Sequence, residues 1–227
     1  MRRSIRCSIR VLILAAAMLS GSDGARAEAF GAVYVGGAVT GDAGSSIRGG
    51  PAAGPLIPLV NGERTEFDLS VAPGGRAGYW LESLPWLGFA LDVSYFQVDQ
   101  TVDVGDKSVF DIRVTPFSGL LMLRYQLLKN SAFPHGGVNF YGAAGPGLFR
   151  SKFSGLGASD TSLDVGADVH VGVEIFHVVQ SWGFFAEYRF TRFTPSTFKG
   201  DNSGGVVQAE FNALNTNYFL FGTSFHF

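Results

Sequence analysis

The feature that most constrains this chain is a repeated alternation of apolar and polar residues with a period of two. In the clearest segment, 163–175, one face is wholly apolar and the other carries charge and glycine. The apolar face consists of Leu163, Val165, Ala167, Val169, Val171, Val173 and Ile175, and the charged face carries Asp164, Asp168, His170 and Glu174. Because successive side chains of a β-strand point to opposite faces, this segment is predicted to be a strand.

The same pattern recurs along the chain and predicts eight antiparallel strands joined as an up-and-down meander. The segments are 31–39, 66–79, 86–98, 109–125, 138–149, 162–176, 182–193 and 211–227. Each segment has the roughly 9–11 residues that a tilted strand needs to cross a bilayer. No segment shows a sustained helical period, and the linkers 41–62, 151–160 and 194–205 are rich in turn residues. The fold class is therefore predicted to be all-β.

Two architectures fit such strands, a soluble β-sandwich and a transmembrane β-barrel. Hydrophobic residues make up 46% of the chain, and a barrel distributes them by alternation, apolar to lipid and polar to the lumen. Connections 80–85 and 177–181 are short whereas three of the four on the other side are long, as in membrane barrels, although 126–137 is longer than expected. Aromatic residues at the connections predict interfacial girdles: Tyr79, Trp80, Trp86, Tyr125, Tyr141 and Trp182. We predict an eight-stranded transmembrane barrel.

The N-terminus has the pattern of an export signal. Four arginines precede the apolar run 11–19, and a small-residue stretch ends at Ala25-Arg26-Ala27. The apolar run is much shorter than the roughly 20 residues of a spanning helix, which argues against an uncleaved anchor. Residues 1–27 are predicted to be a signal peptide cleaved after Ala27, with a cut after Ala29 as the near alternative. Residues 28–227 are predicted to form the barrel.

Charge and cysteine content exclude several classes of function. Removing the signal's five Arg and one Asp leaves 12 basic and 18 acidic residues, a net charge of −6. An acidic chain without a basic patch is not expected to bind nucleic acid. The single cysteine, Cys7, lies in the signal, so the mature chain has no disulfide, thiolate ligand or cysteine nucleophile.

The last strand is similar to the assembly signal of outer-membrane proteins, in which alternating aromatic residues end in a C-terminal Phe. The residues that carry this similarity are Phe219, Phe221, Phe225 and Phe227. The resemblance implies recognition by the barrel-assembly machinery. An aromatic residue at the end of the closing strand would also anchor it at the membrane interface.

The mature chain also resembles the outer-membrane β-barrel domain family of OmpA/OmpX-like small barrels, the porin family. The matching motifs are Tyr34-Val35-Gly36-Gly37, Gly74-Gly75-Arg76-Ala77-Gly78-Tyr79-Trp80, Pro85-Trp86-Leu87-Gly88, Leu91-Asp92-Val93-Ser94-Tyr95 and the ending Phe221-Gly222-Thr223-Ser224-Phe225-His226-Phe227. The resemblance implies a location in the outer membrane of a Gram-negative envelope, contact with membrane lipid and lipopolysaccharide, and a barrel that we expect to be a monomer. Since the sequence ends at Phe227, no periplasmic domain is expected to follow.

An eight-stranded barrel leaves an interior that side chains can fill. Alternation predicts a polar network inside it: Arg76, Asp92, Arg113, Asp164, Asp168, His170, Glu174, Glu187 and Arg189. Charges in such a place are expected to pair, because an isolated buried ion is expensive. The alternative is a narrow path for small solutes. Along 109–125, Asp111, Arg113 and Thr115 are predicted to face inward and a bulge at Pro116-Phe117 to reset the faces.

These patterns favour a structural or porin-like barrel and no catalysis. The histidines His135, His170, His177 and His226 are all predicted to lie in turns or the lumen, where a lipid-modifying enzyme could not use them. No metal site or cofactor is expected, since Asp164, Asp168 and His170 suit pairing with arginine. The alternative function is adhesion or partner binding through the outer loops, above all the proline-rich loop 41–62.

We predict that Phe227→Ala reduces assembly of the barrel more than it reduces the stability of barrels already folded, because the aromatic end serves recognition and anchoring. The amount of folded protein in membrane fractions and the urea midpoint of the refolded protein measure the two effects. Val171→Ala, another predicted lipid-facing change, is the control. Equal insertion of Phe227→Ala and the wild type would contradict the prediction.

Overall fold

The computed structural model describes residues 28–41, 45–50, 57–61, 69–102, 107–128, 137–155, 158–176, 181–195, 197–202 and 205–227. The predicted signal peptide 1–27 and its cleavage site, His135, and His177 lie outside these residues, as does much of the loop 41–62. All regular structure in the described ranges is β-strand. Within them, no helix is long and apolar enough to span a membrane.

The strands, in chain order, are β1 (Glu28–Thr40), β2 (Ser45–Gly50), β3 (Ile57–Asn61), β4 (Ser70–Val71), β5 (Gly74–Trp80), β6 (Leu87–Ser94), β7 (Phe96–Val102), β8 (Lys107–Leu127), β9 (Val138–Gly155), β10 (Ala158–Phe176), β11 (Trp182–Phe193), β12 (Phe198–Asn202), β13 (Gly205–Phe211) and β14 (Leu214–His226). Neighbouring barrel strands pair antiparallel in chain order. The first and last strands then pair with each other, from Phe30↔His226 to Thr40↔Thr216, which closes the barrel. The predicted eight-stranded antiparallel barrel is confirmed.

Two of the eight barrel strands are interrupted. β4 and β5 form one strand broken at Ala72-Pro73, and β6 and β7 form another broken at Tyr95. The backbone N–H of Tyr95 donates to the carbonyl of Pro73 at 3.0 Å, and the N–H of Ala72 donates to the carbonyl of Gly36 at 2.8 Å. The breaks therefore lie side by side and keep hydrogen bonds across them.

The strands direct their apolar faces outward and their polar faces into the barrel, as predicted for a membrane barrel. Apolar side chains point outward, and the exposed fraction reaches 74% for Leu91 and 72% for Val165. Charged side chains such as Arg189 and Asp168 point inward and are fully buried. In a water-soluble sheet the polar face would meet solvent, so this inversion supports contact of the outer face with lipid.

The predicted bulge in β8 is absent, and the prediction was wrong. β8 keeps one continuous register against β9, from Phe110↔Gly155 to Leu127↔Val138. Pro116 lies where the neighbouring pairing passes from β6, whose last pair is Val93↔Phe117, to β7, whose first pair is Phe96↔Val114. A residue without an N–H is tolerated where the ladder is already interrupted. The faces of β8 therefore do not switch at Pro116.

A second, four-stranded sheet lies among the connections at the end of the barrel opposite the termini. It has the order β12-β13-β2-β3, so it joins the first and the last long connections. The backbone N–H of Lys199 donates to Asp160 Oδ2 at 2.9 Å, and Phe198 stacks on Phe153 at 5.4 Å. These contacts fix the sheet to β9 and β10. We refer to this end as the loop end and to the opposite end as the termini end.

The aromatic girdle is present only in part. Tyr79, Trp86, Tyr125 and Trp182 are exposed at the termini end, the position expected for interfacial aromatic residues. The other two predicted members, Trp80 and Tyr141, are buried inside the barrel. Trp80 immediately follows the outward-facing Tyr79 on β5, so strand alternation turns its side chain into the interior.

We predict that replacing two glycines of β1 by alanine has different effects on the stability of the barrel. A Cβ on Gly36 would lie 1.9 Å from the carbonyl oxygen of Phe219, whereas a Cβ on Gly31 would meet nothing within 4 Å. We expect Gly36→Ala to lower the free energy of unfolding by about 1–3 kcal/mol, because the clash is with backbone. Gly31→Ala, on the same strand, is the control and should unfold at the wild-type urea concentration. Similar losses for both variants would contradict the packing around Gly36.

Candidate functional site

Side chains fill the barrel interior in three layers. A charged layer lies at mid-height, a smaller polar cluster closes the termini end, and apolar side chains fill the loop end. The charged layer is the candidate functional site, because any solute crossing the barrel would have to pass it.

Arg76 on β5 forms one half of the charged layer. Its Nη1 and Nη2 donate to the two carboxylate oxygens of Glu187, each at 2.8 Å. Its Nε donates to Asp92 Oδ2 at 3.0 Å. The Arg76 side chain is 3% exposed, and the two carboxylates are not exposed at all. The paired bonds to Glu187 match the planar fork of the guanidinium, the strongest geometry for such an ion pair.

Arg189 on β11 forms the other half. Its Nε and Nη2 donate to the two carboxylate oxygens of Asp168 at 2.9 and 2.5 Å. Its Nη1 donates to Asp92 Oδ1 at 3.1 Å and to Ser94 Oγ at 2.9 Å. Asp92 therefore accepts from both arginines and joins the two halves into one network. The side chains of Arg189 and its carboxylate partners are completely buried.

His170 connects the remaining carboxylates. Its Nδ1 lies 2.8 Å from Glu187 Oε1, and its Nε2 lies 2.9 Å from Asp168 Oδ1. The same Nδ1 also lies 2.9 Å from Nη2 of Arg76. Nε2 has no hydrogen-bond partner among the described residues, so its contact with Asp168 is one of distance only. His170 therefore lies between the two halves of the layer and touches both.

Neutral side chains extend the network to the remaining barrel strands. Tyr34 on β1 donates to Asp92 at 2.7 Å, Tyr141 on β9 donates to Glu187 at 2.8 Å, and Ser118 on β8 donates to Asp168 at 2.6 Å. The Arg189 guanidinium lies 5.1 Å from the ring centroid of Tyr218 on β14. Every one of the eight barrel strands therefore supplies a side chain to this layer.

A second cluster closes the termini end. Arg124 forms a two-bond ion pair with Glu28, at 3.1 and 2.5 Å, and its guanidinium lies 4.3 Å from the centroid of the Trp80 ring. His226 lies between two carboxylates, with Nδ1 2.7 Å from Glu28 and Nε2 3.1 Å from Glu174. A cavity of about 20 Å³ separates this cluster from the charged layer, which is room for about one water molecule.

The loop end of the interior is mostly apolar, although the buried hydroxyls of Thr40, Thr191 and Thr216 also lie there. Phe149 and Phe193 stack at 4.4 Å between ring centroids, and Phe96 packs edge-on against Tyr218 at 5.4 Å. Further buried apolar residues of this layer are Ile112, Val114, Phe153, Phe198 and Leu214. The charged layer is thus covered from the loop end by closely packed hydrocarbon.

Eight of the nine residues predicted for the lumen network are buried. Six belong to the charged layer or contact it directly: Arg76, Asp92, Asp168, His170, Glu187 and Arg189. Glu174 belongs to the termini-end cluster, where it also accepts a hydrogen bond from Ser224. Asp164 accepts from Ser162 at 2.7 Å towards the loop end.

Arg113 was assigned to the lumen wrongly. Its side chain is 52% exposed on the outer face, where it forms an ion pair with Asp111 at 2.9 Å. The error follows from the bulge that does not exist, because an unbroken β8 turns Ile112 and Val114 inward instead. The sequence prediction also missed Glu28 as the half-buried partner of Arg124 and His226, although it is the first residue after the predicted cleavage site.

The family model of the outer membrane protein beta-barrel domain matches residues 11–227. The chain therefore belongs to this family, and the family implies a location in the outer membrane. The comparison with curated proteins found no match.

Among solved structures, the barrel is similar to the outer membrane protein OprG from Pseudomonas aeruginosa, with a TM-score of 0.60 and 18% identity over 90% of this chain and 98% of that one. Neisserial surface protein A aligns with a TM-score of 0.46 and 16% identity over 86% and 99% of the two chains. Ail of Yersinia pestis, in complex with the heparin analogue sucrose octasulfate, aligns with a TM-score of 0.43 and 13% identity over 88% and 99%. At these identities the likeness to OprG shows the fold alone.

The charged layer predicts a large difference between two arginine variants. Arg76→Met would leave the buried Glu187 without its arginine and Asp92 with only one of its two, so we expect it to lower the free energy of unfolding by about 3–5 kcal/mol. Arg113→Met removes an exposed ion pair and should cost about 1 kcal/mol or less. Urea unfolding of both refolded proteins, followed by tryptophan fluorescence, measures the difference. Equal costs would mean that the buried pairs do not stabilise the barrel.

Proposed function

We propose that this protein is a closed outer-membrane barrel with a structural role, which acts on other molecules through its outer surfaces rather than through an open pore. The observation that carries this proposal is the charged layer, because every barrel strand contributes a side chain to it. Porin-like passage of small solutes is the competing role for a barrel of this family.

The way the layer fills the lumen supports a barrel that does not conduct. Arg76 and Arg189 each bridge side chains from several strands, so they extend across the lumen rather than lining a wall. An aqueous path would need these ion pairs to separate, and each unpaired charge would face the apolar loop-end layer. The cost of leaving a buried charge without its partner opposes such opening.

The proposed orientation places the loop end outside the cell and both termini in the periplasm. Its support is the asymmetry of the connections, since 81–86 is short at the termini end and the long connections that form the second sheet lie at the other. The second sheet would then be presented at the cell surface, where it is suited to contact a host or bacterial partner. Binding residues are commonly found on loops held by a rigid scaffold.

Assembly and surroundings form part of the same proposal. The side chains of Phe219, Phe221 and Phe227 are exposed on the outer face of β14, where the barrel-assembly machinery could reach them. Outward-facing apolar strands would contact membrane lipid, and lipopolysaccharide in the outer leaflet. The barrel closes on itself through β1 and β14 without a second copy, which supports a monomer.

The proposed role is not catalytic, and the geometry of Ser224 and His226, a serine–histidine pair within the described residues, supports this. Ser224 donates to Glu174, and His226 lies between Glu174 and Glu28. A serine nucleophile would need its hydroxyl to donate to the base. Both side chains are also buried inside the barrel, away from lipid substrates.

Single-channel recording of the refolded mature chain in a planar bilayer tests the closed state. We expect no steady conductance from the wild type. A variant in which Arg76, Asp92, Asp168, Glu187 and Arg189 are all replaced by Ser should conduct, because it removes both arginines together with the three carboxylates that pair with them. Replacing Asp111 and Arg113 by Ser, an ion pair on the outer face, is the control and should stay silent. Steady wild-type conductance that these lumen changes alter would favour the porin role.

A further inference from the structure

The pairing of β8 with β9 is interrupted at one point, although the register is the same on both sides of the interruption. Residues of the two strands pair regularly up to Ser118↔Gly147 and again from Leu121↔Ala144, but Gly119 and Leu120 have no registered partner between them. Pro146, opposite Gly119, has no N–H to donate to the ladder. A Cβ added to Gly119 would meet nothing within 4 Å, so the outer surface is open at this point.

A notch lies on the outer face at this interruption, where Gly119 has no side chain. Its volume is about 460 Å³, and its exposed lining is almost entirely apolar. The outward-facing residues around it are Leu91, Phe117, Gly119, Pro146, Leu148 and Val165. Asp92 and Ser118 lie at its inner side, but their polar groups are already bonded to Arg189 and Asp168. The surface that the notch presents to the bilayer is therefore suited to hydrocarbon.

Basic side chains follow the notch towards the loop end. On β9, Arg150 and Lys152 are the next outward residues after Leu148, and on β8, Arg113 lies four residues before Phe117. Lys152 and Arg113 are direct register partners, and all three cations are exposed. Asp111 pairs with Arg113, so Arg150 and Lys152 are the principal candidates to bind an anion. We refer to Arg113, Arg150 and Lys152 as the basic cluster.

We propose that the notch and the basic cluster together bind one lipid A unit of lipopolysaccharide, with an acyl chain in the notch and phosphate on Arg150 and Lys152. The arrangement has the polarity of such a lipid, since hydrocarbon surface lies deeper in the bilayer and cations lie towards its edge. Cations on two adjacent strands also suit a headgroup that carries phosphates at more than one position. The proposal rests on the orientation given under Proposed function, which places this edge in the outer leaflet.

Native mass spectrometry of the refolded mature chain in detergent micelles, titrated with purified diphosphoryl lipid A, tests the site. We expect one tightly bound lipid per barrel. Replacing Arg150 and Lys152 by Gln should weaken binding at least about threefold, the effect of losing exposed charge pairs. Gly119→Leu should weaken it to a similar degree by filling the notch. Lys199→Gln, which removes an exposed cation of the second sheet, and Gly31→Leu, on the outer face of β1, are the matched controls and should bind like the wild type.

Three results would overturn the proposal. Equal binding by all variants would mean that the lipid is held elsewhere, and equal affinity for dephosphorylated lipid A would remove the role of the basic cluster. Equal affinity for phosphatidylglycerol would identify a general phospholipid site instead.

If the variants failed to fold, cross-linking of wild-type protein with a lipid A carrying a photoreactive acyl chain would decide, since labelling should concentrate on residues 117–119 and 146–148. Binding in micelles does not depend on how the barrel is oriented in the membrane. The orientation is tested separately, by asking whether a tag inserted in loop 41–62 is labelled on whole cells. Failure of the orientation can therefore be told apart from failure of the lipid site.

Discussion

The pairing of two buried arginines with three carboxylates is the interaction on which the rest of the structure depends. Asp92 accepts from both Arg76 and Arg189, so the two ion pairs cannot separate independently. Because these bonds cross the lumen between different strands, they fix the strands relative to one another as well as along their ladders. Hydrogen-bonded ladders alone would allow a narrow barrel to flatten, whereas a filled, charged interior resists it. Neutral partners such as Tyr34 and Tyr141 complete the bonding that buried charges require.

The same alternation that builds this interior also builds the lipid-facing surface. A shift of one residue in any strand would exchange its two faces, exposing charge to lipid and placing aliphatic side chains among the ion pairs. The unbroken register of β8 against β9 shows how strongly this is held, since even Pro116 is accommodated by a break in the neighbouring strand rather than by a bulge. The cost of burying an unpaired charge therefore disfavours any shifted strand register, in addition to stabilising the folded barrel through the pairs that form.

The sequence was sufficient to predict the eight barrel strands and most of the buried charges, because both follow from a period of two that local residues determine. Arg113 was misplaced because a proline inside a strand suggested a bulge in that strand. The interruption that accommodates Pro116 is instead on the neighbouring strand, between β6 and β7. The sheet of β2, β3, β12 and β13 was missed for a related reason. Its pairing joins connections that are far apart in sequence, and turn-rich composition carries no signal for such contacts. Glu28 was missed because a partner 96 residues away in Arg124 is set by barrel closure, not by local pattern.

A filled interior supports the proposal that the barrel acts through its outer surfaces. Among the residues that the structure describes, the apolar layer at the loop end and the charged layer beneath it fill the lumen, and the cavity between the charged layer and the termini-end cluster has a volume of only about 20 Å³. The outer wall has more space for a ligand, because a notch of about 460 Å³ lies at Gly119 and Pro146. The notch lies where the outward apolar residues of β8 and β9 are followed by cations. Glycine and proline weaken a strand, so their presence opposite each other in a long regular ladder has a structural cost. The charged layer can compensate for that cost, since Ser118 and Asp92 behind the notch are both tied to the arginine network. The filled interior therefore supports the strand pair on whose outer face the notch lies.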